Sequence, residues 1–326
     1  MRVALIGAGR VGEVHAAILA HLVDRLVVHD EDQQPAHGLA GKVGAIVVAD
    51  PLEALAAVDA AVIATPPAAH ASLVKAAAEL SRPVLCEKPL AETAADAAEL
   101  AEYLAERGVL VEVGFQRRFD AGYSVVRDAV RRGDVGRLHL LRLLSTETGL
   151  APSPKTNIFR NTAIHDFDLV RWLSGEEVVS VYVQGADRSG DPFDRSLDPD
   201  TIVATMRLTG GALAVATVSR LSPLGYDVRA EVLGSRDHLC TGLGPSTPVH
   251  FVDGFTRAES EDHTWGSWRT RFAQAFHREL TAFLAAVGGE DPRGATPTDA
   301  VQAQRIAEAA RLSMEQDAPV HLDPWP

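Results

Sequence analysis

A doubly wound parallel α/β domain followed by an α+β domain is the architecture this sequence predicts, on three observations. Short apolar runs alternate with Ala-rich amphipathic stretches from Arg2 to about Gly114. A glycine pattern, Gly7-Ala8-Gly9-Arg10-Val11-Gly12, closes the first apolar run and opens the first helical stretch. Beyond Gly114 the alternation stops, and strand-like runs follow one another through turn signals such as Thr209-Gly210-Gly211. With 326 residues the chain exceeds what one core usually organises, so two domains are expected, divided as 1–117 and 118–326.

In the first part, apolar runs at 3–6, 26–29, 45–48, 60–64, 83–86 and 110–113 read as strands buried on both faces, because a strand covered above and below keeps such continuous apolar sequence. Right-handed crossovers through the intervening helices arrange them as one parallel sheet whose carboxyl edge receives ligands. In the second part, helical periodicity at 121–132 precedes a strand at 137–144, a Pro-containing loop and a helix at 164–173. Runs at 178–184, 201–208, 212–219 and 228–233 read as an antiparallel meander, and helices return at 268–287 and 298–313. A broad sheet with one uncovered face is expected to join subunits, as a homodimer or homotetramer.

Composition narrows the function. With 46% apolar and 23% charged residues the chain is an ordinary globular one, and its net charge of −13 repels phosphate backbones and acidic lipid surfaces, so neither nucleic acid nor membrane is an expected partner. Met1-Arg2 runs straight into the first strand and no apolar stretch approaches the ~20 residues that span a bilayer, which makes a cytoplasmic protein the expectation. Cys86 and Cys240 are far apart and read as packed thiols, and the histidines have no ligand-like grouping, so no metal is expected.

Three motifs carry chemistry. In Gly7-x-Gly9-x-x-Gly12 the first glycine allows a tight turn, the second lets backbone approach a pyrophosphate, and the third lets helix and strand pack closely. Asp30 ends the second strand about twenty residues on, where a carboxylate accepts both ribose hydroxyls and repels a 2′-phosphate, favouring NAD over NADP. Cys86-Glu87-Lys88-Pro89 follows the fifth strand, as Thr65-Pro66-Pro67 follows the fourth, so both stand at the ligand edge, with Lys88 able to stabilise a developing alkoxide. His165 lies four residues after Asn161 and three before Asp168, so the three can share one helix face, with an imidazole suited to moving a proton near neutral pH. Taken singly, the glycine loop can be a turn without ligand, Lys88 a surface lysine and His165 a packed histidine. Their co-occurrence points to hydride transfer.

Together with Ala64-Thr65-Pro66-Pro67 and His70, Gly114-Phe115-Gln116-Arg117-Arg118-Phe119-Asp120, Ile164-His165-Asp166-Phe167-Asp168 and Tyr226-Asp227-Val228-Arg229, these motifs make the chain resemble the Gfo/Idh/MocA oxidoreductases over nearly its whole length, inositol dehydrogenases above all. The resemblance implies an N-terminal Rossmann domain and a C-terminal α+β domain with a large, mostly antiparallel open sheet that builds oligomers. It further implies NAD contacts at Gly7, Gly9, Arg10, Val11, Gly12, Asp30, Thr65, Pro66, His70, Glu87, Lys88 and Gln116. Lys88, Asn161 and His165 would form the catalytic group, and Arg117, Thr162 and Tyr226 would join them in holding a cyclitol or sugar. One position departs from the pattern: Asn161 stands where those enzymes carry aspartate, and Lys155-Thr156-Asn157 replaces their Gly-rich approach to this helix. An amide orients a hydroxyl but accepts no proton. Three readings follow: a cyclitol dehydrogenase, a variant keto- or amino-sugar oxidoreductase of secondary metabolism, and an NAD-binding regulator without turnover.

Overall fold

The computed structural model describes residues 1–148, 157–188, 198–244, 247, 252–253, 256–257 and 265–324. The chain divides into two compact units, Met1–Phe119 with Gln274–Gln302, and Asp120–Ala273 with Ala303–Pro326. The first strands are β1 (Arg2–Ile6), β2 (Arg25–His29), β3 (Ile46–Val47), β4 (Ala60–Ile63), β5 (Val84–Glu87) and β6 (Val111–Gly114); then come β7 (Leu138–Thr146), β8 (Val178–Ala186), β9 (Thr201–Leu208), β10 (Leu213–Ser219), β11 (Asp227–Gly234), β12 (His238–Thr241), β13 (Val252–Asp253), β14 (Thr256–Arg257) and β15 (Val320–His321). The α-helices are α1 (Arg10–Leu22), α2 (Gln33–Val43), α3 (Pro51–Ala56), α4 (Pro67–Glu79), α5 (Ala94–Ala105), α6 (Ala121–Arg132), α7 (Ile164–Ser174), α8 (Trp268–Arg271), α9 (Ala273–Val287) and α10 (Pro297–Gln316). None of the helices is long and apolar enough to cross a membrane, among the described residues.

In the first unit β1 to β6 form one sheet in the order β3-β2-β1-β4-β5-β6, every pair parallel. Every residue of β4, β5 and β6 is buried, which explains their mostly apolar sequence, Glu87 and Glu112 being the exceptions. Side-chain oxygens set where helices begin: Asp32 accepts from Gln34 N at α2, Asp50 from Glu53 N at α3 and Thr93 from Asp96 N at α5. Each such cap stabilises by about 1 kcal/mol.

The chain also returns to this unit, which the sequence division does not contain. Leu280 and Phe283 of α9 are fully buried in the cluster that holds Leu5, Leu19, Val28 and Val62, and burying side chains of this size contributes roughly 1.5–3 kcal/mol each. Past α9, Val113 N donates to Ala295 O at 2.8 Å, and Glu112 Oε1 accepts from Arg293 N and Gly294 N. The first stretch of this unit ends at Phe119, and the second crossing falls inside α10.

Glu279 of α9 is 1% exposed, and neither carboxyl oxygen has a hydrogen-bond partner among the described residues. Burial, reinforced by the nearby Glu87 and Glu112 charges, pushes its pKa well above the ordinary 4.5, so the folded protein keeps a proton that the unfolded chain releases. The sign follows: stability from this group is full below the unfolded pKa and is lost as pH rises toward the folded one, by up to about 1.4 kcal/mol per pH unit. Glu279→Gln, which has no proton to lose, is expected to gain on wild type as pH rises above about 4.5. Urea titrations across pH check this, and parallel stability curves for the two proteins would refute it.

In the second unit the order is β12-β11-β7-β10-β9-β8-β15. Strands β8, β9 and β10 form the expected meander, but β7 enters between β10 and β11 and lies parallel to β10, so the sheet is mostly antiparallel with one parallel pair. Along β9, Ile202, Ala204, Met206 and Leu208 are buried while Val203, Thr205 and Arg207 are exposed, the period-two pattern of a sheet covered on one face. The helical run expected at 268–287 breaks at Phe272, a fully buried residue with φ −109° and ψ 14° that separates α8 from α9. The expectation of two packed thiols holds for Cys86 alone, since Cys240 is exposed on β12 near the sheet edge.

Candidate active site

The turn between β1 and α1 is built by its glycines. Gly7 adopts φ +108°, and a Cβ there would stand 2.5 Å from Ala64 O; a Cβ on Gly12 would drive into Gly7 O. Gly9, the N-cap of α1, faces open space instead, with nothing within 4 Å of where its Cβ would be. Two glycines therefore close the turn and the third leaves a gap beside the positive end of a helix. Asp30, just past β2, accepts from Ala8 N at 2.7 Å through Oδ2 and from Asp32 N at 3.0 Å through Oδ1, so its carboxylate sits beside the loop. Thr65, just past β4, has a buried Oγ1 with no hydrogen-bond partner among the described residues. A helix-end gap without a side chain, an adjacent carboxylate and an unused hydroxyl fit the pyrophosphate, ribose and remaining polar groups of a dinucleotide. Arg10 and Val11 lie at the start of α1 on the same turn.

Lys88 follows β5 and is half-buried, and its peptide bond to Pro89 is cis. The buried Glu87 carboxylate accepts from Lys88 N at 3.3 Å and bonds His15 Nε2 of α1 at 2.8 Å. His70 of α4 is buried, with Nδ1 2.7 Å from Pro89 O and Nε2 2.8 Å from Thr65 O. Its side chain thus acts on these two loops from within the unit. Gln116 and Arg117 lie on the 3₁₀ turn Gln116–Phe119 after β6, both buried. His15 was not among the residues sequence reasoning selected. The available signal was a polar residue on the buried stripe Gly12, His15, Ala16, Leu19 of an otherwise apolar helix face.

In the second unit His165 lies in the first turn of α7, 8% exposed. The segment before it, Phe159–Ala163, is a π-helical turn rather than an extension of α7, so Asn161 and Thr162 sit on a wider coil than the single regular helix expected for Asn161, His165 and Asp168. Asn157 Oδ1 accepts from Phe159 N and Arg160 N, and Asp198, itself held by Arg220, accepts from Ile158 N at 2.7 Å. Lys155 and Thr156 lie outside the described residues. Thr162 Oγ1 donates to Glu147 Oε1 at 3.1 Å, a carboxylate just past β7 that sequence reasoning also missed, no motif marking it. Asp166 accepts from Ser145 Oγ of β7 at 2.9 Å and so ties α7 to the sheet. Tyr226 is buried edge-on against Phe272, with ring centroids 6.2 Å apart. Among the described residues no His, Cys, Asp or Glu cluster could hold a metal ion.

A parallel sheet in this strand order, with a side-chain-free helix end after β1 and a carboxylate after β2, defines a dinucleotide-binding protein. Residues 1–115 match an oxidoreductase family with an NAD-binding Rossmann fold, and residues 148–322 match that family's C-terminal α/β domain. The chain belongs to the Gfo/Idh/MocA oxidoreductase family and is an NAD-dependent enzyme acting on CH–OH groups. It is 38% identical to myo-inositol dehydrogenase Hyg17 of Streptomyces leeuwenhoekii, covering 96% of this chain and 97% of that one. It is 30% identical to myo-inositol 2-dehydrogenase of Thermotoga maritima, covering 99% of each. Among solved structures, a myo-inositol dehydrogenase from Corynebacterium glutamicum superposes with a TM-score of 0.89 at 30% identity, over 100% of this chain and 99% of that one.

Proposed function

We propose that the chain interconverts a secondary alcohol and the corresponding ketone of a cyclitol or sugar, with Lys88 and His165 acting on the same hydroxyl group. The observation that carries the reading is collinearity, at 38% identity over 96% of the chain, with a myo-inositol dehydrogenase in a sequence that keeps both an amine after β5 and an imidazole at the start of α7. NAD bound at the glycine turn supplies the acceptor for the hydride that leaves the carbinol carbon. His165 takes the hydroxyl proton, and the Lys88 ammonium donates a hydrogen bond to the oxygen as its charge grows. Asn161 orients that oxygen through its amide without changing charge. Arg117, Thr162 and Tyr226 hold the remaining hydroxyls, and Gln116, Pro66 and Thr65 contribute to holding the cofactor. The expectation of dimers or tetramers rests on the uncovered sheet face, where Val203 and Leu213 are exposed beside half-buried Leu144 and Val215. The charge balance and the absence of a membrane-spanning helix among the described residues support a cytoplasmic enzyme without nucleic-acid or membrane partners.

The test follows the absorbance of reduced nicotinamide with purified protein over a panel of cyclitols, sugars and keto-sugars. Turnover with NAD should exceed that with NADP by about 100-fold, and Asp30→Ala should narrow the gap by about tenfold or more, because the carboxylate both holds the ribose and repels the 2′-phosphate. No turnover on any panel member, with NADH still bound, would replace this reading by that of a dinucleotide-binding regulator.

A further inference from the structure

We infer that His70 is a positioning residue for Lys88: its imidazole holds the Pro89 carbonyl, and through it the peptide that carries the amine, against the loop that follows β4. The inference rests on the proposed role of Lys88. Pro89 is buried, so its carbonyl needs a donor inside the protein, and His70 Nδ1 at 2.7 Å supplies it. Thr65 O, 2.8 Å from Nε2, belongs to a half-buried residue, so this bond is the less enclosed of the two. Both ring nitrogens therefore face carbonyl oxygens, and only an imidazolium donates to both at once. Burial holds the His70 pKa below its ordinary 6.5, with Lys88 adding to the depression while the two carbonyls and Glu87 oppose it. The ring is then neutral near pH 7 and has one proton to give. The bond to the buried carbonyl is the one whose loss leaves an acceptor stranded.

The same segment is held from its other side. His15 of α1 bonds Glu87 and Glu87 bonds Lys88 N, while the Glu87 carboxyl occupies space that a side chain at Gly114 would crowd, a Cβ there standing 3.0 Å from it. Glu87 and Pro89 are thus each held by a buried imidazole, and His70 links the segment to the loop of Thr65. A displacement on the order of 1 Å in the amine can cost about 100-fold in rate, so a residue that never touches substrate can govern turnover from this position.

Side-chain geometry provides the test. Asn at position 70 places an amide nitrogen near that of Nδ1 and keeps the Pro89 bond; Gln places one near Nε2 and keeps the Thr65 bond; Ala keeps neither. His70→Asn should keep kcat about tenfold or more above that of His70→Gln and His70→Ala, which should lose about 10–100-fold against wild type, with the loss in kcat exceeding any change in the KM for NAD. Independently of substrate, the rate of reductive methylation of Lys88, read by peptide mass spectrometry against Lys42 and Lys75, should shift in the Gln and Ala variants and stay near wild type in Asn. Equal losses in Asn and Gln, losses that follow the urea midpoint alone, or Lys88 reactivity unchanged in His70→Ala would overturn the inference. A wild-type protein without turnover whose Lys88 labelling still responds to His70 would remove the redox reading while supporting the positional one.

Discussion

Replacing Lys88 with Met is expected to lower kcat by about 10³-fold while NADH affinity stays within about threefold of wild type. Met keeps an unbranched stem of similar length and removes the charge, so packing around the half-buried side chain survives and the ammonium does not. The expected size follows from the term removed. A single preorganised donor to a developing oxyanion is worth roughly 10²–10³ in rate, and proton-transfer assistance roughly 10²–10⁴. Arg is not a rescue, because its planar fork cannot take the place of a compact ammonium. If Lys88 and His165 act on one hydroxyl, Lys88→Met combined with His165→Gln should cost far less than the product of the two single losses, since groups acting as a unit are not additive. Steady-state kinetics on the three variants, with NADH fluorescence titrations in parallel, decide the matter. Full activity in Lys88→Met would sink the assignment of the amine.

The second large effect separates folding from cofactor binding within one turn. Gly12→Ala should destabilise the protein by about 2 kcal/mol or more, although Ala in place of Gly inside a helix ordinarily gains up to about 1 kcal/mol. The clash wins because the obstacle is the Gly7 carbonyl, whose residue already sits at φ +108° with Ala64 and Thr65 packed against it. Backbone enclosed this way cannot yield as the tip of a side chain would. Gly9→Ala should behave in the opposite manner. Gly9 has φ −75° and ψ −169°, which any residue adopts, and its Cβ would meet nothing, so stability should change by less than about 0.5 kcal/mol. The added methyl nevertheless fills the gap assigned to the pyrophosphate, and NADH should bind about tenfold or more weakly, at least about 1.4 kcal/mol. Urea denaturation and NADH titration on the pair provide the comparison. Equal loss of binding and of stability in Gly9→Ala would mean that the gap is structural.

The resemblance read from the sequence and the family found by comparison agree, and the strands that frame the cofactor turn were legible for a physical reason. Buried parallel strands write themselves as short, mostly apolar runs, and β1, β2, β4, β5 and β6 all fall within a residue or two of the runs that mark them. The glycines, Asp30, Thr65 and Lys88 were found because each sits at a fixed offset from a strand end. His165 and Asn161 were legible as a spacing, but the π-turn over Phe159–Ala163 was not, since five residues of ordinary composition, FRNTA, carry no signal for a widened coil.

The chain by itself determined its parallel sheet, the turn that suits a dinucleotide, the carboxylate beside that turn and the residues offered for proton and charge handling, because all of these follow from local periodicity and short fixed spacings. The return of Gln274–Gln302 to the first unit, the entry of β7 between β10 and β11, the buried contacts of His15 and His70 and the burial of Glu279 were decided only in three dimensions. Such pairings join residues tens to hundreds of positions apart, and no local preference selects among them. The choice falls to whichever arrangement buries the most apolar surface while leaving the fewest polar groups without partners.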